Sequence, residues 1–247
     1  MQKERPFVMN IAGFDPSGGA GVLADIKTFE QLKVQGLCVC TAMTLQTESE
    51  FYTLQWQPID EIVSATDVLM KKYKVEAVKI GVVKDAKFLA QIVEKLKSIN
   101  PEVKIVWDPV LKSTSEFSFF DLNTISDLKN VLDQIDLITP NYHEYKVLKK
   151  SLLFGNMENS CSVLIKGGHR EDKIGTDILI QNGKEIFIEP SDTFSVFYPK
   201  HGSGCVLSSA IAGYLALGKN TEQACRSGKL YIEKFLTSNP TLLGFHS

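Results

Sequence analysis

The chain has 247 residues, enough to bury one large core, and its apolar (44%) and charged (23%) fractions are ordinary for a globular domain. A net charge of −2 gives no electrostatic reason to expect nucleic acid or an anionic membrane as a partner, and no apolar stretch approaches the roughly 18–20 residues of a spanning helix. Five cysteines without framework spacing, and a charged N-terminus unlike a secretory signal, predict a soluble cytoplasmic protein.

Strand-like and helix-like patterns alternate along the first two thirds of the chain. Runs rich in apolar and β-forming residues predict strands over Phe7–Ala12, Leu37–Leu45, Ala77–Gly81, Lys104–Asp108, Asp136–Thr139 and Ser162–Lys166. Helical spacing of apolar residues predicts helices between them, over residues 22–36, 59–73, 85–96 and 121–134. Gly36 is placed to end the first helix, and Asp85 to cap the third.

The pattern changes between residues 172 and 197, where short β-like runs surround Asn182-Gly183, a strong hairpin signal. Helical patterns then return over Gly204–Leu217 and Thr221–Leu236. Alternating strands and helices, a meander and two helices predict an α/β fold with a mostly parallel sheet covered on both faces. We find no linker or repeat, so we expect one domain over residues 1–247.

Two glycine-rich loops, far apart in the sequence, carry the clearest functional signal. One is Ala12-Gly-Phe-Asp-Pro-Ser-Gly-Gly-Ala-Gly21, directly after the first strand, and the other is His201-Gly-Ser-Gly-Cys205, directly before a helix. Glycine lets backbone approach a bound group, and a helix N-terminus offers free N–H donors to an anion. The pair predicts a site where a small molecule meets a phosphate; glycines needed only for tight turns are the alternative.

Ligands of open parallel sheets lie beyond the carboxyl ends of the strands. The polar residues of this chain cluster at those predicted ends: Gly13, Asp15, Gln46, Lys79–Val82, Asp108, Asn141–Glu144, Lys166 and Gly202–Cys205. We therefore expect them to converge in space.

Several of these residues suit phosphoryl transfer, and each also has a simpler structural role. Asp108 could bind Mg²⁺ through water beside nucleotide phosphates, or make the turn before Pro109. Asn141-x-x-Glu144 could place a carboxylate near the metal, act as a helix capping box, or do both. Lys166 could neutralise phosphate charge or be a solvated lysine.

Two more residues suit the acceptor substrate. Cys205, at a helix start, could have a lowered thiol pKa and act as base or nucleophile, or be a small buried hydrophobe. A hydrolase pair of His201 with Cys205 is disfavoured, because positions so close across a turn rarely reach the needed geometry. The Gln46 amide offers a donor and an acceptor, which suits a nitrogen heterocycle, or it meets backbone in a loop.

Taken together, these motifs resemble the hydroxymethylpyrimidine/phosphomethylpyrimidine kinases of thiamin biosynthesis, in the ribokinase superfamily. The longest match is Ala12-Gly-x-Asp-Pro-Ser-Gly-Gly-Ala-Gly-x-x-Ala-Asp-x-Lys-Thr28. Further matches follow in the family's order and span residues 8–235: Thr41-Ala-x-Thr-x-Gln46, Val78-Lys-Ile-Gly81, Asp108-Pro-Val110, Thr139-Pro-Asn-x-x-Glu144, Lys166-Gly-Gly-His169 and His201-Gly-x-Gly-Cys-x-Leu-Ser-Ser209.

The resemblance implies a ribokinase-like three-layer α/β/α fold and two ATP-dependent phosphorylations. The first acts on the hydroxymethyl oxygen of 4-amino-5-hydroxymethyl-2-methylpyrimidine, and the second acts on the resulting monophosphate. It also implies Mg²⁺ as the cofactor with ATP, and a homodimer.

The same resemblance implies roles for individual residues. The pyrimidine would be bound by Gln46, Gly13, Asp25 and Val82. The nucleotide would meet Lys166, Asn141 and Thr139, and Asp108 and Glu144 would bind the metal. The backbone of Gly202, Ser203 and Gly204 would form an anion hole, with Cys205 as the base. Many relatives in the superfamily carry Asp in place of this cysteine, so it favours pyrimidine kinases over sugar or nucleoside kinases.

Three features depart from the family pattern. Val82 stands where Met is usual, Ser203 stands where Thr is usual, and the stretch Leu111–Ser118 is shorter than the usual glycine-bearing lid loop. The last difference bears on the second phosphorylation.

Two other functions compete with this one. A pyridoxal/pyridoxine kinase is the alternative, because vitamin B6 compounds also carry a hydroxymethyl group on a nitrogen ring. A catalytically silent pyrimidine-binding or regulatory module is the third hypothesis. The presence of Asp108, Glu144 and Lys166 argues against it.

Overall fold

The computed structural model describes residues 4–112, 117–150, 161–169, 175–193 and 196–247. Its strands are β1 Phe7–Phe14, β2 Gln35–Gln46, β3 Phe51–Trp56, β4 Val75–Ile80, β5 Lys104–Trp107, β6 Leu137–Ile138, β7 Ser162–Ile165, β8 Asp177–Gln181 and β9 Lys184–Ile188. In this part of the chain they form one sheet, in the order β3-β2-β1-β4-β5-β6-β7-β8-β9. Strands β1, β2 and β4–β7 run parallel, whereas β3, β8 and β9 join antiparallel, which confirms the mostly parallel sheet.

Helices cover both faces of the sheet. They are α1 Gly21–Gln31, α2 Ile59–Lys72, α3 Ala86–Ile99, α4 Lys129–Leu132, α5 Tyr142–Lys150, α6 Ser203–Ala216 and α7 Thr221–Leu236. One core lies between the sheet and α1, α6 and α7, around Phe29, Val206 and Phe235. The other lies beneath α2, α3 and α5, around Ile62, Leu89 and Leu148. The predicted three-layer α/β/α fold is therefore confirmed.

Across the described ranges, none of the helices combines the length and apolarity that crossing a bilayer requires.

The structure confirms two local predictions and contradicts a third. Asp85 caps α3 by accepting the Phe88 N–H at 2.7 Å, and Asn182 and Gly183 form the β8–β9 turn with φ of 52° and 71°. The prediction that Gly36 ends α1 is wrong. The helix ends at Gln31 because Lys33 takes a left-handed φ of 58° and turns the chain, and Gly36 lies inside β2.

Two other segments differ from the prediction. Strand β3 was not predicted, because its residues are half-buried or exposed and lack a clear apolar run. The predicted helix over 121–134 is a 3₁₀ segment, Leu122–Leu128, followed by the short α4. An Asp121 carboxylate that accepts the Asn123 N–H at 3.0 Å starts this tighter turn.

Candidate active site at the carboxyl edge of the sheet

The two glycine-rich loops lie directly against each other. Gly21 (φ 56°) and Gly202 (φ 72°) both have left-handed backbone. A Cβ at Gly202 would overlap the carbonyl oxygen of Gly19, and one at Gly21 would overlap that of Gly13. No side chain fits at either position, so the start of α1 and the start of α6 meet backbone to backbone.

An aspartate and a histidine also join the two loops. Asp15, after β1, accepts the N–H groups of Ser17 and Ala20 at 2.9 Å each, and its Oδ2 lies 2.8 Å from His201 Nε2. Burial opposes the ionisation of Asp15, but hydrogen bonds from His201 and Ser17 outweigh it and lower its pKa. Asp15 and His201 therefore fix the position of the loop that begins α6.

A buried lysine–aspartate pair faces the start of α6. Lys166 Nζ donates to Asp108 Oδ1 at 2.7 Å, with the side chains 13% and 1% exposed. A Cβ at Gly204 would lie 3.2 Å from Lys166 Nζ and 3.8 Å from Asp108 Oδ2. Both charged groups thus lie beside the free N–H groups of α6, where a phosphoryl group would be bound.

Both oxygens of the Asp108 carboxylate accept hydrogen bonds from protein side chains. Thr139 Oγ1 donates to Oδ1 and Ser208 Oγ donates to Oδ2, each at 3.2 Å. Burial raises the pKa of Asp108, but Lys166, Lys79 and the Ser208 hydroxyl outweigh it, so the pKa lies below its ordinary value. Asp108 is therefore an anion inside the fold. The structure brings it together with Lys166 and Thr139, as predicted for the nucleotide side.

Asn141 and Glu144 form the capping box of α5. The Asn141 N–H donates to Glu144 Oε2 at 2.7 Å, and the Glu144 N–H donates to Asn141 Oδ1 at 2.9 Å. Glu144 Oε1 also accepts the Leu111 N–H at 3.4 Å, at the beginning of the stretch after Asp108. Burial raises the pKa of Glu144 to about 7. The capping interpretation is confirmed, and the predicted metal role of Glu144 stays a prediction.

The carboxylates fit a hydrated magnesium ion better than a protein cage. In the described ranges, no group of three or more His, Cys, Asp or Glu side chains could hold a metal ion. The carboxylates of Asp108 and Glu144 are close enough for their charges to repel each other, but both already accept hydrogen bonds from the protein. Mg²⁺ commonly keeps several waters and binds one or two carboxylates together with substrate phosphates, which this donor set permits.

Cys205 lies in the first turn of α6 and retains partial exposure. Burial of the thiol raises its pKa, and Lys79 and a hydrogen bond from the Gly21 N–H reverse this effect only in part. The prediction that its pKa is lowered is therefore wrong. The helix start is present as predicted, but burial destabilises the thiolate by more than the helix start stabilises it.

The predicted pyrimidine pocket lies at the β1–β2–β4 corner. A Cβ at Gly13 would be 4.0 Å from the Cβ of Val82, so these two residues are neighbours. Thr41 Oγ1 donates to the Val82 carbonyl at 2.7 Å, and Thr44 Oγ1 donates to the Phe14 carbonyl at 2.8 Å. Gln46 is the last residue of β2 and is half-buried. The hydroxyls of Thr41 and Thr44 therefore fix the backbone of this corner.

Asp25 lies behind this corner and has no exposed surface. Its carboxylate accepts Lys79 Nζ at 2.8 Å, Ser209 Oγ at 2.5 Å and Asn10 Nδ2 at 3.4 Å. The predicted contact of Asp25 with the pyrimidine stays a prediction. Sequence reasoning gave no role to Lys79 or Ser209, although a lysine within the apolar run of β4 was a usable signal.

Comparisons with known proteins agree with this geometry. The family model described as phosphomethylpyrimidine kinase matches residues 15–246. The chain belongs to this family. It is 32% identical to the hydroxymethylpyrimidine/phosphomethylpyrimidine kinase of Aquifex aeolicus over 246 residues, covering 95% of each chain. The family resemblance and the assignment as a kinase, a phosphotransferase, are thereby confirmed.

Solved structures share the fold. The phosphomethylpyrimidine kinase of Clostridium difficile 630 is 29% identical, with a TM-score of 0.76, over 93% of this chain and 99% of that one. The pyridoxal kinase of Staphylococcus aureus in complex with ADP is 22% identical, with a TM-score of 0.83, over 99% and 94%. The second likeness shows the shared ribokinase-like fold alone.

Proposed function

We propose that this protein transfers the γ-phosphoryl group of ATP to the hydroxymethyl oxygen of 4-amino-5-hydroxymethyl-2-methylpyrimidine, and then a second phosphoryl group to the monophosphate. The main support is the position of Lys166 and Asp108 beside Gly204, at the free N–H groups of α6. The name of the Aquifex aeolicus relative, which includes both activities, supports the pyrimidine as substrate.

On the nucleotide side, the ammonium of Lys166 neutralises charge on the transferred group, and the N–H groups of Gly202, Ser203 and Gly204 form the anion hole. Thr139 and Asn141 line the same edge, since they follow β6 directly. Mg²⁺, held through water by Asp108 and Glu144, would neutralise the phosphate oxygens. Phosphoryl transfer depends mainly on such positioning and charge stabilisation.

On the acceptor side, the hydroxymethyl oxygen forms a bond to the γ-phosphorus while the bond to the β,γ-bridging oxygen breaks and ADP leaves. The hydroxyl proton passes to the sulfur of Cys205. The raised pKa of this thiol makes the thiolate scarce near neutral pH. A loose transition state needs little help from a base, so a scarce thiolate is compatible with transfer.

Gln46 would bind the ring nitrogen and the amino group, with Gly13 and Val82 beneath the ring. Thr41 Oγ1 donates to the Val82 carbonyl at 2.7 Å, which fixes the backbone from which the Val82 side chain extends. A hydroxymethylpyridine offers the same reacting group, so pyridoxal is the alternative substrate to be tested. A single kinase domain, a homodimer and a cytoplasmic location belong to the same proposal and come from the sequence and the family resemblance.

The test is coupled ADP release with Mg·ATP, comparing hydroxymethylpyrimidine, its monophosphate and pyridoxal at equal concentrations. We expect turnover of both pyrimidines. Turnover of pyridoxal alone would reject the pyrimidine assignment, and binding without ADP release from any of the three would support the silent module.

A further inference from the structure

A fully buried ion pair lies beneath the active site. Lys79 on β4 and Asp25 on α1 are both 0% exposed, and their charged atoms are 2.8 Å apart. Taking two charges out of water costs much of what their attraction returns, so such a pair is a poor means of stabilising a fold. Such a pair can instead fix the positions of the groups that it contacts.

Two non-covalent contacts, one helical turn apart on each helix, connect α1 to α6. In one, Ser209 Oγ on α6 donates to the Asp25 carboxylate on α1 at 2.5 Å. In the other, one helical turn earlier on both helices, the start of α6 lies against the start of α1, with Gly202 packed on the backbone of Gly19 and Ala20, and the Gly21 N–H lowers the pKa of the Cys205 thiol. Side chains four positions apart lie on the same face of a helix, so the Asp25–Ser209 bond sets the register in which Gly21 meets Cys205.

Lys79 fixes this arrangement from the sheet. Its ammonium donates to both Asp25 oxygens, at 3.1 and 2.8 Å, and Asn10 Nδ2 adds a weaker bond at 3.4 Å. With donors from β1, β4 and α6, the Asp25 carboxylate has one orientation. Burial opposes the charge on Lys79, but Asp25, Cys205 and Asp108 outweigh it and raise its pKa, so Lys79 is a cation.

The charged groups that interact electrostatically with Cys205 come from α1, from β4 and from the segments after β5 and β7. Lys79 and the Gly21 N–H favour the thiolate, whereas Asp25 and Asp108 disfavour it. Lys166 also lies within electrostatic reach of the thiol. Lys79 is thus one of the few groups that stabilise a thiolate at Cys205.

We propose that Asp25, Lys79 and Ser209 form a positioning unit for Cys205, holding α1 and α6 in register so that the Gly21 N–H and the buried ammonium face the thiol. None of the three needs to touch ATP or the pyrimidine. The catalytic consequence rests on the proposed function, whereas the effect on the thiol itself does not.

The test compares Ser209→Ala, the double variant Asp25→Asn with Lys79→Met, and Thr28→Val as control. The double variant removes both charges together and leaves an amide oxygen to accept the Ser209 hydroxyl. Thr28 is a buried residue of α1 that donates to the Ala24 carbonyl at 2.8 Å, and its Oγ1 lies 3.5 Å from His246 Nδ1. Two quantities are measured: the rate of Cys205 alkylation by iodoacetamide at pH 8, read by peptide mass spectrometry, and the steady-state kinetics. Partial exposure of Cys205 gives the reagent access.

We expect alkylation of Cys205 to slow about fivefold in Ser209→Ala, because one unit of thiol pKa is a tenfold change in thiolate. The double variant should slow it only about twofold, because it removes Lys79, which favours the thiolate, together with Asp25, which disfavours it. Thr28→Val should react like the wild type, and all variants should react alike when unfolded. The kcat should fall in parallel, with KM for ATP within about twofold, as expected for loss of an effect on the transferring step.

Unchanged alkylation of Cys205 in folded Ser209→Ala would overturn the proposal. This variant decides the matter if the double variant does not fold, since it removes a single hydroxyl. Alkylation needs no substrate, so the outcome is independent of the proposed function. Slowed alkylation in a protein that phosphorylates none of the three substrates would leave the positioning unit standing and reject the kinase assignment.

Discussion

The proposed phosphoryl-transfer centre and the proposed pyrimidine pocket share one edge of the sheet but are built differently. In the transfer centre, the functional side chains bind one another: the Lys166 ammonium, the Asp108 carboxylate and the hydroxyls of Thr139 and Ser208 form one buried network. In the pocket, the hydroxyls of Thr41 and Thr44 donate to the backbone carbonyls of Val82 and Phe14, at 2.7 and 2.8 Å. These hydrogen bonds fix the backbone that lines the proposed pocket.

This difference indicates a division of labour. A buried network of charges has one geometry and loses most of its effect when one member is removed. A pocket held through its backbone keeps its shape when a lining side chain changes. Substitutions in the transfer centre should therefore reduce kcat, and substitutions in the pocket should change KM and the choice of substrate.

The largest effect is expected for Lys166→Met. Removing the cation beside Gly204 takes away charge stabilisation from the transferred group and leaves Asp108 unpaired, so kcat should fall about 10³-fold. Steady-state ADP release measures this loss. Lys104→Met is the control, because Lys104 pairs with Asp136 at 2.9 Å at the opposite end of the sheet. A loss below about tenfold would separate Lys166 from the chemistry.

The next effect is expected for Cys205→Ala. Loss of the proton acceptor should lower kcat about 10²-fold while weakening pyrimidine binding much less. Cys225→Ala is a matched control, since Cys225 is a buried cysteine of α7 outside the site. Measured kcat and pyrimidine KM decide the question: unchanged turnover would remove the thiol from the reaction and leave positioning and charge as the whole mechanism.

A smaller and different effect is expected for Gln46→Ala. Loss of the ring hydrogen bonds should raise KM for the pyrimidine about tenfold and leave KM for ATP unchanged, because about 1.4 kcal/mol corresponds to a factor of ten. Gln55→Ala, an exposed glutamine on the adjacent β3, is the control. Equal changes in both KM values would place Gln46 outside the ring pocket and contradict the proposed difference between the pocket and the transfer centre.

The last prediction concerns stability and leaves catalysis aside. Glu144 has a raised pKa of about 7 against an ordinary 4.5, so between these pH values the folded protein holds a proton that the unfolded chain has released. Its contribution to the free energy of unfolding therefore falls as the pH rises through this window, by about 3 kcal/mol in all. Urea unfolding at pH 5 and pH 8 should show Glu144→Gln close to the wild type at pH 5 and more stable at pH 8. If the free energies of unfolding of Glu144→Gln and the wild type differ by the same amount at both pH values, the pKa of Glu144 is not raised.

The features that sequence reasoning placed correctly are local. Helix α7 spans the predicted Thr221–Leu236, because Asn220 caps it with a capping box and its apolar spacing is regular. The glycine loops and the strand ends were found in the same way, since a turn before a helix and a strand-end carboxylate depend on neighbouring residues.

The features that sequence reasoning missed depend on contacts between distant segments. Lys79 and Asp25 are 54 residues apart, and Asp15 and His201 are 186 residues apart, so neither pair is visible as a spacing. The pKa of Cys205 was predicted in the wrong direction for the same reason. The sequence contains the helix start that favours a thiolate, but it does not show the tertiary burial that outweighs it.

The most direct test of the kinase assignment is the stoichiometry of the complete reaction. A limiting amount of hydroxymethylpyrimidine is incubated with excess Mg·ATP, and ADP and pyrimidine products are quantified by mass spectrometry until the reaction stops. We predict two ADP per pyrimidine, with the monophosphate rising first and the diphosphate replacing it. Release of ADP without any phosphorylated pyrimidine, or no ADP release at all, would contradict the assignment.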